Sequence, residues 1–200
     1  MEKLRVGFQK FSKEMLPKWA SHFSKLAEGQ RPSVLLITCS DSRIDPGLLY
    51  QTDPGEIFVI RNAGNIVPAA GNGSGGEIAT IEFAIKALGV PHVLVCGHSH
   101  CGAMGALLDP DSAASLGHVC SWIEHAKGAM HDGDDLDTVI QNNVLLQLEH
   151  LRSHDFVREA EEAGKIELHG WVYRFETGEI LEYNPKQDRF IPLADDPSTV

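Results

Sequence analysis

Val34-Leu35-Leu36-Ile37-Thr38-Cys39 is a short, almost wholly apolar run, rich in branched side chains, that stops at Ser40-Asp41-Ser42-Arg43. A run of this length and composition reads as a strand buried on both faces. Working outward, Ile57-Phe58-Val59-Ile60 is a second such run, and His92-Val93-Leu94-Val95-Cys96 is a third. A loop heavy in Gly, Asn and Pro, from Asn62 to Gly76, precedes a helical stretch over 77–88. Further helices are expected over 116–130, 136–151 and 155–163, the last stopped by Gly164. Residues 165–183 read as two strands around Thr177-Gly178. Strands separated by helices imply an α/β fold: a mostly parallel central sheet flanked by helices, with a C-terminal antiparallel hairpin.

The N-terminus carries a different period. Leu4, Phe8, Phe11, Met15, Trp19, Phe23 and Leu26 recur at steps of three or four, one face of a helix. Pro17 lacks an amide hydrogen and clashes with the preceding turn, so two helices are expected, with Pro17 opening the second and Gly29 closing it. The stripe suits packing on the chain's own core or on a partner subunit, and spacing leaves both open. With 200 residues, the chain is read as a single domain. Its parts are an N-terminal helical arm (1–30), an α/β core (31–193) and a frayed tail (194–200).

A net charge of −11, from 17 basic and 28 acidic residues, argues against a nucleic-acid partner. No apolar run approaches the ~18 residues of a membrane span. Lys3, Lys10, Glu14 and Lys18 interrupt any secretory signal. A cytoplasmic location is expected, where Cys39, Cys96, Cys101 and Cys120 stay reduced.

Two polar clusters follow directly on strands. Cys39-Ser40-Asp41-Ser42-Arg43 follows the first, and His98-Ser99-His100-Cys101 follows the third. Both lie where parallel strands end at their carboxyl edge, the usual ligand edge of open α/β sheets. Two thiolates and one imidazole suit zinc and leave a fourth tetrahedral position open, as catalytic sites do. As isolated residues Cys39 and Cys101 would read as core; together with His98 at strand ends they read as ligands. Asp41 would be the fourth ligand or would accept a hydrogen bond from a metal-held water, and Arg43 could hold it in either role. Without function, the pair would merely pin a turn. Cys96 and Cys120 read as core. The other histidines, His92 and His169 among them, have no spacing that suggests a second metal.

At these residues the sequence resembles the β-class carbonic anhydrases, with their C-x-D-S-R and, far downstream, H-x-x-C. The resemblance extends through Arg61-Asn62-Ala63-Gly64-Asn65 and Leu168-His169-Gly170-Trp171-Val172-Tyr173 and covers about residues 3–193. It implies reversible hydration of CO2 to bicarbonate and a proton, by attack of zinc-bound hydroxide on CO2. One Zn2+ per chain would be held by Cys39, His98 and Cys101, with Asp41 and Arg43 as the catalytic gating pair. It also implies a substrate pocket at Gln30, Phe58 and Phe83, where Phe83 stands in place of a tyrosine of the family. Leu36 replaces a tryptophan used in one branch for a regulatory bicarbonate site, so no such site is expected. A homodimer or homotetramer is implied. Competing readings are a hydrolase of a CO2-like molecule such as carbonyl sulfide or carbon disulfide, and a zinc-stabilised binding module without turnover.

Overall fold

The computed structural model describes residues 1–72 and 75–193. The tail expected from Ala194 lies outside the described residues, as do Gly73 and Ser74 of the glycine-rich loop. The chain divides into two compact units, Met1–Arg31 and Pro32–Val200.

In the first unit, α1 (Glu2–Lys10) runs into a π-helical stretch, Phe11–Met15, and then α2 (Leu16–Glu28). Proline sits in the first turn of α2. The Leu16 amide bonds back to the Phe11 carbonyl, a five-residue step that widens the helix where Pro17 would crowd it. The rings of Phe11 and Phe23 lie 6.4 Å apart. Twelve residues of straight helix would separate them by about 18 Å, so the chain bends at this junction. Two helices are therefore present as expected, joined by a widened turn rather than a loop. Neither contains a buried residue.

The second unit is built on one six-stranded sheet. In sequence order its strands are β1 (Val34–Cys39), β2 (Ile57–Asn62), β3 (His92–His98), β4 (Glu167–Arg174), β5 (Glu179–Asn184) and β6 (Arg189–Pro192); in space the order is β2-β1-β3-β4-β5-β6. The first four are mutually parallel, and β4, β5 and β6 form an antiparallel meander. Leu35 and Ile37 are fully buried in the main core, and Leu36 points to a smaller cluster on the opposite face with Leu94 and Cys96. Burial on both faces explains the unbroken apolar reading of β1.

Helices α4 (Gly76–Glu82, extended by a π turn through Leu88), α6 (Gly117–Ile123, extended as a 3-10 helix to Ala129), α7 (Leu136–Ser153) and α8 (Asp155–Glu162) fall where periodicity placed them. Among the described residues, several short elements were not anticipated. Helix α3 (Pro46–Tyr50), helix α5 (Gly102–Leu108) and strand β6 have five, seven and four residues, too few to show a period. Helix α3 does carry a start signal: the Asp45 carboxylate accepts from the Leu48 amide at 3.1 Å, and Pro46 follows it.

Connections from β1 and β2 cross the sheet, so β1 lies between β2 and β3 and the order reverses around it. Thr38 is paired with Cys96. The segments after β1 and β3 therefore emerge side by side at a topological switch point, where a crevice opens.

Candidate metal centre

Strand β1 delivers Cys39 at its last position and β3 delivers His98 at its last. Cys101 precedes α5, and the turn between it and His98 forces His100 to a positive φ of 54°, a conformation uncommon outside glycine. That tight turn brings both downstream donors back toward β1. The donor atoms of Cys39, His98 and Cys101 all lie within 4.8 Å of one another. All three residues are buried, with 6%, 1% and 2% exposure.

The imidazole is already set for coordination. His98 Nδ1 lies 2.8 Å from the Ser99 carbonyl oxygen, which can only accept, so Nδ1 carries the proton. Nε2 then presents a lone pair inward, and among the described residues it has no hydrogen-bond partner. A buried polar atom left unpaired is costly, and a cation beside the two sulfurs would satisfy it.

The sulfurs are prepared as well. The Gly64 amide donates to Cys39 Sγ at 3.4 Å. Cys39 is pulled well below the usual thiol range, mainly by a hydrogen bond from Cys101 and further by the Gly64 amide. Cys101 is pushed up, because its proton is held by the Cys39 sulfur and because it is buried, while the amides of Ala103 and Met104 act in the opposite direction. A divalent ion held by both sulfurs would displace their proton. Gly64 has φ +79°, and a Cβ there would meet Ala103 Cβ at 3.0 Å, so glycine is required for this approach.

Asp41 and Arg43 form a fork. Asp41 Oδ1 accepts from the Arg43 amide and from Nε, both at 2.9 Å, and Oδ2 accepts from Nη2 at 2.8 Å. Arg43 Nη2 also donates to the His100 carbonyl at 3.1 Å. Its guanidinium carbon lies 4.4 Å from the Phe175 ring centroid. The guanidinium holds the Asp41 carboxyl far below its ordinary range. Asp41 Oδ2 lies 4.0 Å from His98 Nε2, beside the donor cluster but paired with arginine.

Several supporting residues were not identified from sequence. Arg61 donates to the Cys39 carbonyl at 3.0 Å and to the Asp41 carbonyl at 2.8 Å, fixing the turn that bears both side chains. Asn143 donates to the Gly64 carbonyl at 3.0 Å, Gln147 donates to Asn143 at 2.8 Å, and the Val67 amide donates to Gln147 at 2.8 Å. Two polar residues one turn apart in the otherwise apolar face of α7 were the available signal.

The residues of the expected substrate pocket divide. Phe58 and Phe83 come together with ring centroids 6.1 Å apart. Gln30 belongs to the other compact unit. Cys96 is buried and Cys120 half-buried, both as free thiols.

A family profile described as carbonic anhydrase matches residues 34–180. A carbonic anhydrase of Pseudomonas aeruginosa is 44% identical, with 96% of this chain and 91% of that protein aligned. The structure of the β-carbonic anhydrase CcaA superposes with a TM-score of 0.92 and 38% identity, covering 96% of this chain and 99% of the other. Two β-carbonic anhydrases of Sordaria macrospora, described as tetrameric, are represented by a structure with TM-score 0.65 and 28% identity, covering 96% and 95%. Match and superposition extend over the sheet and the crevice that bears the three donors, and the chain belongs to the carbonic anhydrase family, in its β class.

Proposed function

We propose that Cys39, His98 and Cys101 hold one zinc ion per chain and that Asp41 and Arg43 order the reacting water beside it. The protein is a carbonic anhydrase, and its reaction is the reversible hydration of carbon dioxide to bicarbonate and a proton. The observation that carries the ligand set is the buried, unpartnered Nε2 of His98 beside two thiols. Zinc in such a site supplies Lewis acidity, so that hydroxide is available near neutral pH.

The chain's own residues account for the rest. The Ser99 carbonyl holds the His98 tautomer, and the Gly64 amide stabilises the Cys39 thiolate. Two thiolates cancel the charge of a divalent ion, so a third anionic ligand would make the site anionic and displace water. Arg43 prevents this by occupying both oxygens of Asp41. Held there, ionised Asp41 can only accept a hydrogen bond, so a water or hydroxide beside it would donate its O–H to Asp41, keep its proton and turn an oxygen lone pair toward CO2. Phe58 and Phe83, whose rings pack together, are read as the apolar lining for CO2.

Zinc content and stopped-flow CO2 hydration on the same preparations test the assignment. One zinc per chain with turnover is expected, and both should be lost in Cys101→Ala. Full zinc in that variant would overturn the ligand set. A parallel sulfide-release assay with carbonyl sulfide compares the two substrates, and turnover of carbonyl sulfide exceeding that of CO2 would favour the hydrolase reading.

On this reading the chain is one functional domain, a core over 31–193 with an arm over 1–30. The exposed stripe of Leu4, Phe8, Phe11 and Met15 supports an oligomer, a dimer or the tetramer described for the Sordaria proteins. The need to keep Cys39 and Cys101 reduced supports the cytoplasm.

A further inference from the structure

His92 opens β3, and Glu167 and His169 lie on β4. The parallel register pairs His92 with Glu167 and Leu94 with His169. Residues 167 and 169, two apart, share a sheet face, so three candidate ligands meet at the amino-terminal edge of these strands. His92 Nδ1 lies 3.2 Å from His169 Nε2. Glu167 Oε2 lies 3.8 Å from each of these nitrogens. Ligands held at about 2.0–2.2 Å by a tetrahedral ion stand about 3.4 Å apart. The observed triangle needs shifts of only a few tenths of an ångström to match.

Hydrogen bonding alone does not close the triangle. One proton can link the two imidazoles, but 3.8 Å is beyond hydrogen-bond range for the carboxylate. A cation would satisfy all three atoms at once. Beside the cluster is a cleft of about 270 Å³ lined by Val34, Leu94, Trp171 and Glu182 as well as the two histidines, so an ion there would keep an open side. The place is distinct from the Cys39 centre, since His92 and His98 are at opposite ends of β3, about 20 Å apart at the usual rise of a strand.

We propose that His92, Glu167 and His169 form a second, weaker metal site that takes up one added divalent transition ion of the kind imidazole prefers, such as Ni2+ or Co2+, beyond the single tightly held zinc. A hard, oxygen-seeking ion such as Mg2+ does not suit two imidazoles. Linear spacing conceals the site, because 77 residues separate the two histidines and only the β3–β4 register joins them.

The test uses the full-length protein carrying one zinc per chain. Ni2+ is titrated by calorimetry, and the gel-filtered product is analysed for both metals. One zinc plus one nickel per chain is expected. His92→Ala and His169→Ala should each weaken nickel binding at least tenfold with zinc content intact. Glu167→Gln, an exposed and conservative change, should weaken it about tenfold while leaving CO2 hydration unchanged. Cys101→Ala should lose the zinc and still bind one nickel, which separates this site from the catalytic one. Absence of a nickel equivalent in the wild type, or undiminished nickel in Glu167→Gln and both histidine variants, would overturn the proposal.

Discussion

Asp41 illustrates how much of the chemistry rests on single atoms. Its carboxylate lies beside His98 and takes three contacts from Arg43, which on the proposed reading keep it from serving as a ligand. Replacing it with asparagine keeps the shape, weakens the charged half of the fork and offers a donor where the site needs an acceptor. Removal of such a partner of a metal site typically costs about 10–100-fold. Asp41→Asn should lower kcat/KM for CO2 hydration by that factor with zinc content unchanged; unaltered kinetics would remove Asp41 from the mechanism. That Asp41 and Arg43 lie beside the donor cluster was readable from sequence because they adjoin Cys39. Arg61, Asn143 and Gln147 were not, because each acts on backbone far away along the chain, and no local pattern marks a side chain whose partner is a distant carbonyl or amide.

At the scale of elements, α7 lies across β3 and β4 where two glycines let it approach. A Cβ on Gly170 would meet Val144 Cγ1 at 2.9 Å, and one on Gly97 would meet Val144 Cγ2 at 3.0 Å and Ile140 Cγ2 at 3.4 Å. Gly97 immediately precedes His98, so overpacking there pushes on the ligand strand. Gly97→Ala should destabilise the fold by about 1–3 kcal/mol. The corresponding fall in melting temperature is about 2–12 °C, and zinc should be retained less tightly. A variant that melts and holds zinc like the wild type would contradict this packing. The buried strands and long helices were legible because their apolar periods run for many residues. Helices α3 and α5 and strand β6 were hidden by brevity, and the bend before Pro17 took a π-helical form that periodicity does not distinguish from an ordinary helix. The three donors were legible as chemistry, but their meeting depends on the register of β1 against β3.

Taken whole, the molecule should respond to pH in a definable direction. His150, half-buried on α7, lies with Nδ1 2.7 Å from the Val67 carbonyl, and burial lowers its pKa from 6.5. The unfolded chain therefore binds the proton more readily than the folded one. This contribution to stability is full above about pH 6.5 and is lost as pH falls through the lower folded value. The melting temperature should decline from pH 7.5 to 5.5, and His150→Gln should flatten the decline; an identical slope in the variant would contradict the assignment. The arm, with its exposed apolar stripe, predicts an assembly larger than a monomer by sedimentation. The central claim, however, concerns the metal. X-ray absorption at the zinc edge of the full-length protein loaded with one equivalent should show two sulfurs at about 2.3 Å and one imidazole nitrogen at about 2.0–2.1 Å, with a light oxygen atom completing the shell. A shell of nitrogen and oxygen alone, with no sulfur, would contradict it.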